Sequence, residues 1–146
     1  EDDADDGGDG GDGAAAAAWH DSMREEAEVA DAALSGKTRV TFALLRACGR
    51  RERTLLFSQS LHVLDLLEEM LTHLPRPAND GYKWKKNRDY LRLDGSTPQS
   101  QRSRMVDKFN DTNSDVRLFL ISTKAGSLGV NLTAATRVLL FDSSWN

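Results

Sequence analysis

The chain has 146 residues, which is the length of about one domain. Its net charge of −4 conceals two opposite parts: residues 1–34 carry 12 acidic side chains and one basic one, whereas residues 35–146 carry 18 basic and 11 acidic ones. The single cysteine, Cys48, excludes an internal disulfide, and no apolar run approaches the roughly 18 residues of a membrane span. This composition argues against a membrane protein and favours an intracellular protein with a polyanionic partner.

Residues 1–18, EDDADDGGDGGDGAAAAA, form an acidic segment of low complexity. Repulsion among the aspartates and the chain entropy of glycine oppose packing, so we expect a disordered linker here. The alternative is a segment that attracts histones or other basic partners. Residues 19–34 have the pattern of a weakly packed helix anchored by Trp19.

Three further helices are predicted after this acidic part of the chain. The first begins at Ser35, which can cap it, and runs to about Gly49. The second ends before Pro75. The third begins with Thr97 as its cap and Pro98 at its first position. The side chains expected to face the core are Val40, Leu44, Ala47 and Cys48 in the first helix, Leu61, Leu64, Leu67 and Leu71 in the second, and Met105, Val106 and Phe109 in the third.

Short apolar segments alternate with these helices and predict four strands. The alternation implies right-handed crossovers and an α/β fold with a parallel sheet covered by helices on both faces. Ligands of such sheets bind at the carboxyl ends of the strands. The strands are predicted at 54–59, 90–95, 116–122 and 137–142, and the loops that follow them at 58–60, 94–97, 122–131 and 142–146.

The loop after the third strand, in the sequence ISTKAGSLGVN at 121–131, has the composition of a phosphate-binding loop. Gly126 and Gly129 let the backbone approach a ligand, backbone N–H groups can bind phosphate oxygens, and Lys124 adds a positive charge. Glycine after a strand is also typical of a simple turn. The chain contains no Gly-x-x-x-x-Gly-Lys-Ser/Thr sequence, so this loop is not a Walker A loop.

Three other segments have possible roles in binding. RLDGST at 92–97 and FSQS at 57–60 place hydroxyl, amide and glycine N–H groups at strand ends, where they can contact phosphates or simply cap the next helix. YKWKKNR at 82–88 interleaves aromatic and basic residues, as nucleic-acid-binding segments do, but it also fits a solvated basic loop or a nuclear-import signal.

Four segments in this order, TLLFSQS, YLRLDGST, FLISTKAGSLGVNLTAA and RVLLFDSSWN, resemble the helicase motifs of the second RecA-like lobe of Swi/Snf-type chromatin-remodelling ATPases. SGK at 35–37 resembles the beginning of that lobe. FSQSL, the run KW…N.DY.RLDGST, Ser127 and the tryptophan upstream of SGK resemble the ATRX-like subgroup. The resemblance covers residues 35–146 and implies a three-layer RecA-like sheet that is incomplete at its C-terminal end.

The resemblance also implies roles for individual residues in a DNA-dependent ATPase that translocates on DNA in the nucleus. Asp142 and Trp145 would couple DNA contact to closure of the two lobes. Gly129 and Asn131 would face ATP. The DNA backbone would be contacted by Ser58, Gln59, Gly95, Ser96, Thr123, Lys124 and Ala125.

The sequence departs from a complete motor of this kind. It contains neither a Walker A lysine nor an Asp-Glu box for Mg²⁺, and it stops before the motif that would supply an arginine finger. We therefore expect a fragment that needs the first RecA-like lobe in cis to use ATP and Mg²⁺, and that is inactive by itself. The alternatives are a truncated module that binds DNA or histones and the lobe of an RNA helicase.

Overall fold

The computed structural model describes residues 35–49, 51–73, 83–126, 129 and 131–143. The expectations for the linker at 1–18, the helix at 19–34 and the role of Trp145 lie outside these residues.

Four short strands form one parallel sheet in the order β2-β3-β1-β4, as the sequence predicts. The two central strands are in register, with Leu56 beside Leu120. Each strand is shorter than predicted: β1, β2 and β4 end one or two residues earlier, and β3 begins two residues later. The strands are β1 (Thr54–Ser58), β2 (Tyr90–Leu93), β3 (Leu118–Ser122) and β4 (Arg137–Leu140).

Helices cover both faces of this sheet, which confirms the predicted architecture. The helices are α1 (Gly36–Ala47), α2 (Leu61–His73), α3 (Gln99–Asn110) and the short α4 (Thr123–Gly126). The first three agree with the predicted helices. The sequence predicted a glycine loop at α4, which is instead one turn of helix directly after β3.

One face of the sheet packs on α3 and α4. Phe109 of α3 is fully buried against Phe119 of β3, with ring centroids 5.4 Å apart. Met105 packs against the same cluster, as the helical pattern predicted. The buried members of this cluster are Leu55, Leu91, Leu93, Phe109, Val116, Phe119, Ile121 and Ala125.

The opposite face of the sheet packs on α2. Side chains alternate along a strand, so Arg92 lies on the face opposite Leu91 and Leu93. Its guanidinium contacts Asp65 and Glu68 of α2, which fixes the side on which that helix lies. The buried residues of α2 are Leu64, Leu67, Met70 and Leu71, whereas Leu61, predicted to face inward, is exposed.

The predicted inward face of α1 is wrong. Val40 and Leu44 are exposed, Ala47 is exposed, and Cys48 is only half buried. The helix instead buries Thr38, Thr41, Phe42 and Leu45. Apolar residues occur on most sides of α1, so the pattern does not define one face. Thr38 is tolerated inside because its hydroxyl donates to Ser35 O at 2.8 Å.

The predicted N-cap residue is correct for α1 and wrong for α3. Ser35 is the N-cap residue of α1, although its side chain makes no capping hydrogen bond. Pro98 is the N-cap residue of α3, not Thr97. The Thr97 hydroxyl instead accepts a hydrogen bond from Asp94 N at 3.1 Å, which closes the turn before the helix.

A buried arginine fastens the amino end of β1 to the end of α3. Arg53 is 4% exposed, and its guanidinium donates to three backbone carbonyls, those of Phe109, Asp111 and Ser114. It also lies over the Phe109 ring, 5.9 Å from the centroid. Burial, with the nearby charge of Arg117, lowers the pKa of Arg53 from its ordinary value. No sequence pattern indicated this contact.

Strand β4 forms one edge of the sheet in the described part of the chain, where it pairs only with β1. Its Val138 and Leu140 side chains are 58% and 71% exposed. In the described part of the chain, these side chains leave apolar surface exposed on this edge strand. None of the helices in the described ranges is long and apolar enough to cross a membrane.

Candidate nucleic-acid interface

The loops that the sequence singled out meet at one edge of the sheet. All four strands are parallel, so the segments after β1, β2, β3 and β4 emerge at the same carboxyl edge. The strand order brings the loops at 94–97, 123–126, 59–60 and 141–143 side by side across that edge. The fold therefore places most of the predicted DNA-contacting residues together.

Asp142 links the ends of the neighbouring strands β1 and β4. Its carboxylate accepts a hydrogen bond from the Ser58 hydroxyl at 2.5 Å and another from Gln59 N at 2.7 Å. The Ser58 side chain is fully buried, whereas Gln59 is exposed. Ser58 is thus engaged inside the protein, and Gln59 is the residue of this pair that reaches the surface.

The loop after β2 is organised by a second carboxylate. Asp94 Oδ1 accepts from Ser96 N at 2.9 Å and from the Ser96 hydroxyl at 2.6 Å, and Asp94 O accepts from Thr97 N. Asp94 is 7% exposed, while Gly95 and Ser96 are exposed. The buried carboxylate of Asp94 therefore fixes the loop from the protein side, and Gly95 and Ser96 form its outer surface.

Arg92 holds the carboxylate that organises this loop. Its guanidinium donates to Asp94 at 2.8 Å, to Asp65 at 2.5 Å and to Glu68 at 2.7 Å. Burial opposes the charge of Arg92, but these three hydrogen bonds outweigh burial and raise its pKa. The hydrogen bond from Ser96, helped by Arg92, likewise outweighs burial and holds the pKa of Asp94 below its ordinary value.

The predicted phosphate loop after β3 begins with the helical turn α4. Thr123 is half buried and Lys124 is exposed, so both reach the carboxyl edge. Ala125 is buried, and its N–H donates to the Ser122 hydroxyl at 3.3 Å. The expectation that Gly126 admits a ligand is not what the structure shows, because a Cβ built there would lie 2.9 Å from Phe57 Cε1 and 3.3 Å from Ile121 Cγ2. The space beside Gly126 is filled by the side chains of Phe57 and Ile121 and not by a ligand.

Gly126→Ala should destabilise the protein, because the added methyl group must displace Phe57, which packs against the core. We expect a loss of about 1–3 kcal/mol in the free energy of unfolding, the usual range for overpacking. Urea denaturation of the two proteins measures it. Gly95→Ala is the matched control, since a Cβ at Gly95 meets nothing within 4 Å. Equal stability of Gly126→Ala and the parent chain would contradict the packing role.

The two residues predicted to face ATP lie in the segment before β4. Gly129 is exposed, adopts a left-handed backbone conformation with φ of 68°, and has no atom within 4 Å of an added Cβ. Asn131 is exposed, and its carbonyl accepts from the Asn110 side chain at 2.8 Å. An open backbone at Gly129 is compatible with an approaching nucleotide. In the described ranges, no group of His, Cys, Asp or Glu side chains is arranged to hold a metal ion.

The basic segment that precedes β2 lies away from this edge and is firmly folded. Trp84 is buried at 6% exposure, so it is not an aromatic platform for bases. Asp89 is buried, and its carboxylate accepts from Lys85 N at 2.8 Å and from Arg88. The solvated basic loop considered from the sequence is thus held in place by these contacts, and its lysines are exposed.

Sequence reasoning missed the residues that support the site. Arg92 and Asp94 lie within the RLDGST segment, of which only the glycine and hydroxyl groups were predicted to bind. Charged residues that alternate with apolar ones along a strand are the signal that could have revealed Arg92 and Asp94, because a buried charge needs a partner. Asp65 and Glu68 lie one helical turn apart on α2, which makes them suitable partners.

A family model described as "Helicase conserved C-terminal domain" matches residues 36–146 of the chain. The solved structure of the C-terminal part of the Fun30 ATPase domain is 38% identical in sequence and superposes with a TM-score of 0.61. The superposed region covers 75% of this chain and 32% of the Fun30 chain.

Several curated proteins are similar in sequence. "Transcriptional regulator ATRX" of Homo sapiens is 43% identical over 140 residues, which cover 88% of this chain and 6% of that protein. "Protein CHROMATIN REMODELING 20" of Arabidopsis thaliana is 50% identical over 96 residues, covering 65% of this chain and 6% of that protein. "Helicase ARIP4" of Xenopus tropicalis is 50% identical over 102 residues, covering 65% of this chain and 7% of that protein. The chain thus spans less than a tenth of these relatives' length.

Proposed function

Because the chain belongs to the helicase conserved C-terminal domain family, in its Swi/Snf-type, ATRX-like branch, we propose that it is the DNA-contacting lobe of an ATP-driven translocase that remodels chromatin. The observation that carries this proposal is the gathering of four strand-end loops at one edge of the sheet. Their exposed members offer amide, hydroxyl, N–H and ammonium groups, the donors used on nucleic-acid backbones.

On this proposal the residues at the edge divide into contacting and positioning groups. Gln59, Gly95, Ser96, Thr123 and Lys124 reach the surface and contact phosphates of one DNA strand. Ser58 and Ala125 are buried and act by holding the loops in place.

The Asp142 carboxylate joins the loops after β1 and β4, so a movement of either loop is transmitted to the other. This link supports the coupling role proposed for Asp142.

For ATP, we propose that Gly129 and Asn131 form one wall of a cleft whose other wall is the first RecA-like lobe in cis. ATP with Mg²⁺ would supply the phosphoryl-transfer chemistry when bound there. These 146 residues contain no Walker A lysine and no Asp-Glu box, so by themselves they should not hydrolyse ATP. Their own contribution is the exposed backbone at Gly129, where a Cβ would meet nothing within 4 Å.

The proposed setting is the nucleus, with duplex DNA in nucleosomes as the substrate. The names of the relatives, which describe a transcriptional regulator and a chromatin-remodelling protein, support this setting. The alternative is a module that binds DNA or histones without ATP chemistry, and the charge contrast between residues 1–34 and 35–146 supports it.

Lys124→Gln should weaken the binding of the chain to duplex DNA, because it removes one ammonium group from the phosphate-contacting edge. We expect the magnitude of the slope of log affinity against log salt to fall by about 0.9, the value for one phosphate contact. Fluorescence anisotropy with a labelled duplex, measured over a series of salt concentrations, gives both the affinity and the slope.

Lys37→Gln is the matched control, since Lys37 is an exposed lysine on α1, outside the loops of the carboxyl edge. Its slope should equal that of the parent chain. An equal fall in both variants would mean that only net charge matters. An unchanged affinity and slope for Lys124→Gln would show that Lys124 does not contact a DNA phosphate, contrary to the proposal.

A further inference from the structure

A second basic surface lies at the opposite end of the sheet from the candidate interface. Residues 83–89 immediately precede β2, so they lie at its amino end, and β2 separates them from Gly95 by about 10 Å of strand at the usual rise per residue. Helix α3 runs back from the carboxyl edge, and Lys108 in its last turn reaches this loop by donating to Asn87 O. We call Lys83, Lys85 and Lys108 the amino-edge lysines.

The loop that carries these lysines is held rigidly by internal contacts. Trp84 is buried, and Asp89 accepts hydrogen bonds from Lys85 N and from the Arg88 guanidinium. Asn87 has a φ of 63°, and its N–H donates to Tyr90 O at 2.8 Å. A preformed loop orders few groups on binding, so the entropic cost of an interaction made there is small.

Among the described residues, the amino-edge lysines have no acidic partner. In the described part of the chain, no carboxylate lies within ion-pair distance of Lys83 or Lys85, and Lys108 Nζ contacts a carbonyl, which carries no net charge. Their neighbours are already paired, Lys86 with Glu68 at 2.8 Å and Arg88 with Asp89 at 2.8 Å. The described residues therefore leave about three positive charges on this surface for a partner.

We propose that the amino-edge lysines form a second binding surface for the phosphate backbone of duplex DNA, separate from the carboxyl-edge interface. The chemistry favours this partner over others. The unpaired charges are lysines, which act as point charges, whereas carboxylate recognition favours the bidentate guanidinium of arginine. The aromatic side chain of the loop, Trp84, is buried and cannot stack on single-stranded bases.

This surface would let one chain contact two duplex segments at once. The two groups of contacts lie at opposite ends of the strands, so on this proposal the amino-edge lysines hold a DNA segment other than the one at the carboxyl edge. A protein that acts on wrapped or crossing DNA gains a second point of attachment in this way. The inference stands independently of the carboxyl-edge site, and the two can fail separately.

Titration of the isotope-labelled chain with a short DNA duplex, followed by amide NMR shifts, tests the proposal. We expect one group of shifts at 83–89 and 108 and another at 59, 95–96 and 123–124. Lys83→Gln/Lys85→Gln should remove the first group only and reduce the magnitude of the salt slope of duplex binding by about 1.8, the value for two phosphate contacts. Both side chains are exposed, and an unchanged melting temperature checks that the variant is folded.

Lys37→Gln/Arg39→Gln is the matched control, because it removes the same charge from two exposed residues of α1. It should leave both groups of shifts in place. Shifts at 83–89 without shifts at the carboxyl edge would support this surface and reject the proposed DNA interface.

Absence of shifts at 83–89, or an equal loss of binding in the α1 control, would overturn the inference. An aspartate-rich peptide that binds 83–89 more tightly than the duplex at the same salt would also overturn it and identify an acidic protein as the partner.

Discussion

Replacing Arg53 by methionine should lower the free energy of unfolding by about 2–4 kcal/mol, the cost of leaving buried hydrogen-bonding groups without a partner. Methionine keeps the apolar stem but removes the guanidinium that donates to the carbonyls of Phe109, Asp111 and Ser114. These carbonyls belong to the end of α3 and the turn after it. Without the Arg53 guanidinium they lack a donor, so the segment that joins α3 to β3 should become less ordered.

Urea denaturation followed by circular dichroism measures this change. Arg51→Met is the matched control, because Arg51 is exposed and lies only two residues away. We expect the control to fall within about 0.5 kcal/mol of the parent chain, the usual range for surface substitutions. If the two variants were equally stable, Arg53 would contribute nothing beyond an ordinary surface arginine.

Arg92→Met should be similarly destabilising and should also disturb the candidate interface. The substitution removes the cation that three carboxylates share and leaves those of Asp94 and Glu68, which are largely buried, close together. Breaking one side of such a pair costs about 3–5 kcal/mol when the pair is fully buried, and the open position of Asp65 should bring the effect to roughly 2–3 kcal/mol.

The loss caused by Arg92→Met should depend on pH in a defined direction. The pKa of Asp94 is lowered in the folded protein, so its ionised form stabilises the fold above the ordinary pKa of about 4 and this contribution disappears as the pH falls below it. The stability difference between Arg92→Met and the parent chain should therefore be largest near neutral pH and should shrink in acid.

Denaturation at a series of pH values measures this difference, and Arg104→Met on the exposed side of α3 is the control. Arg92→Lys separates charge from geometry, since lysine keeps the charge but cannot donate to three carboxylates in the same arrangement. A difference that stays constant from neutral pH to acid would show that Arg92 acts through packing and not through Asp94.

The ion pairs of Arg92 with Asp65, Glu68 and Asp94 also connect the stability of the fold to the candidate interface. Asp94 accepts hydrogen bonds from both donors of Ser96, and Arg92 donates to Asp94, so the shape of the 94–97 loop depends on Arg92, which lies outside that loop. Arg92→Met should on this account weaken duplex binding by a route different from that of Lys124→Gln. It would reduce affinity by misplacing Gly95 and Ser96, with little effect on the salt slope.

The sequence by itself determined the class of fold and the edge at which the site lies. Apolar strands such as LFLIS at 118–122 alternate with helical patterns, and chain connectivity then dictates parallel strands whose carboxyl ends meet. Phe109 and Met105 of α3 were predicted correctly to face the core, whereas Val106 is only half buried and the predicted cap at Thr97 is wrong. Local composition carries this information, so no distant contact was needed to read it.

Only the tertiary structure decided which polar groups face the solvent and which support the site. Ser58 and Gln59 look equivalent in the sequence, yet Asp142, 84 residues away, draws Ser58 into the interior. Gly126 resembles a ligand-binding glycine until Phe57 is seen against it. α1 buries threonines in place of Val40 because packing, and not hydrophobicity alone, selects its inner face. Each outcome depends on pairs of residues far apart in the chain, which become neighbours only when the sheet forms.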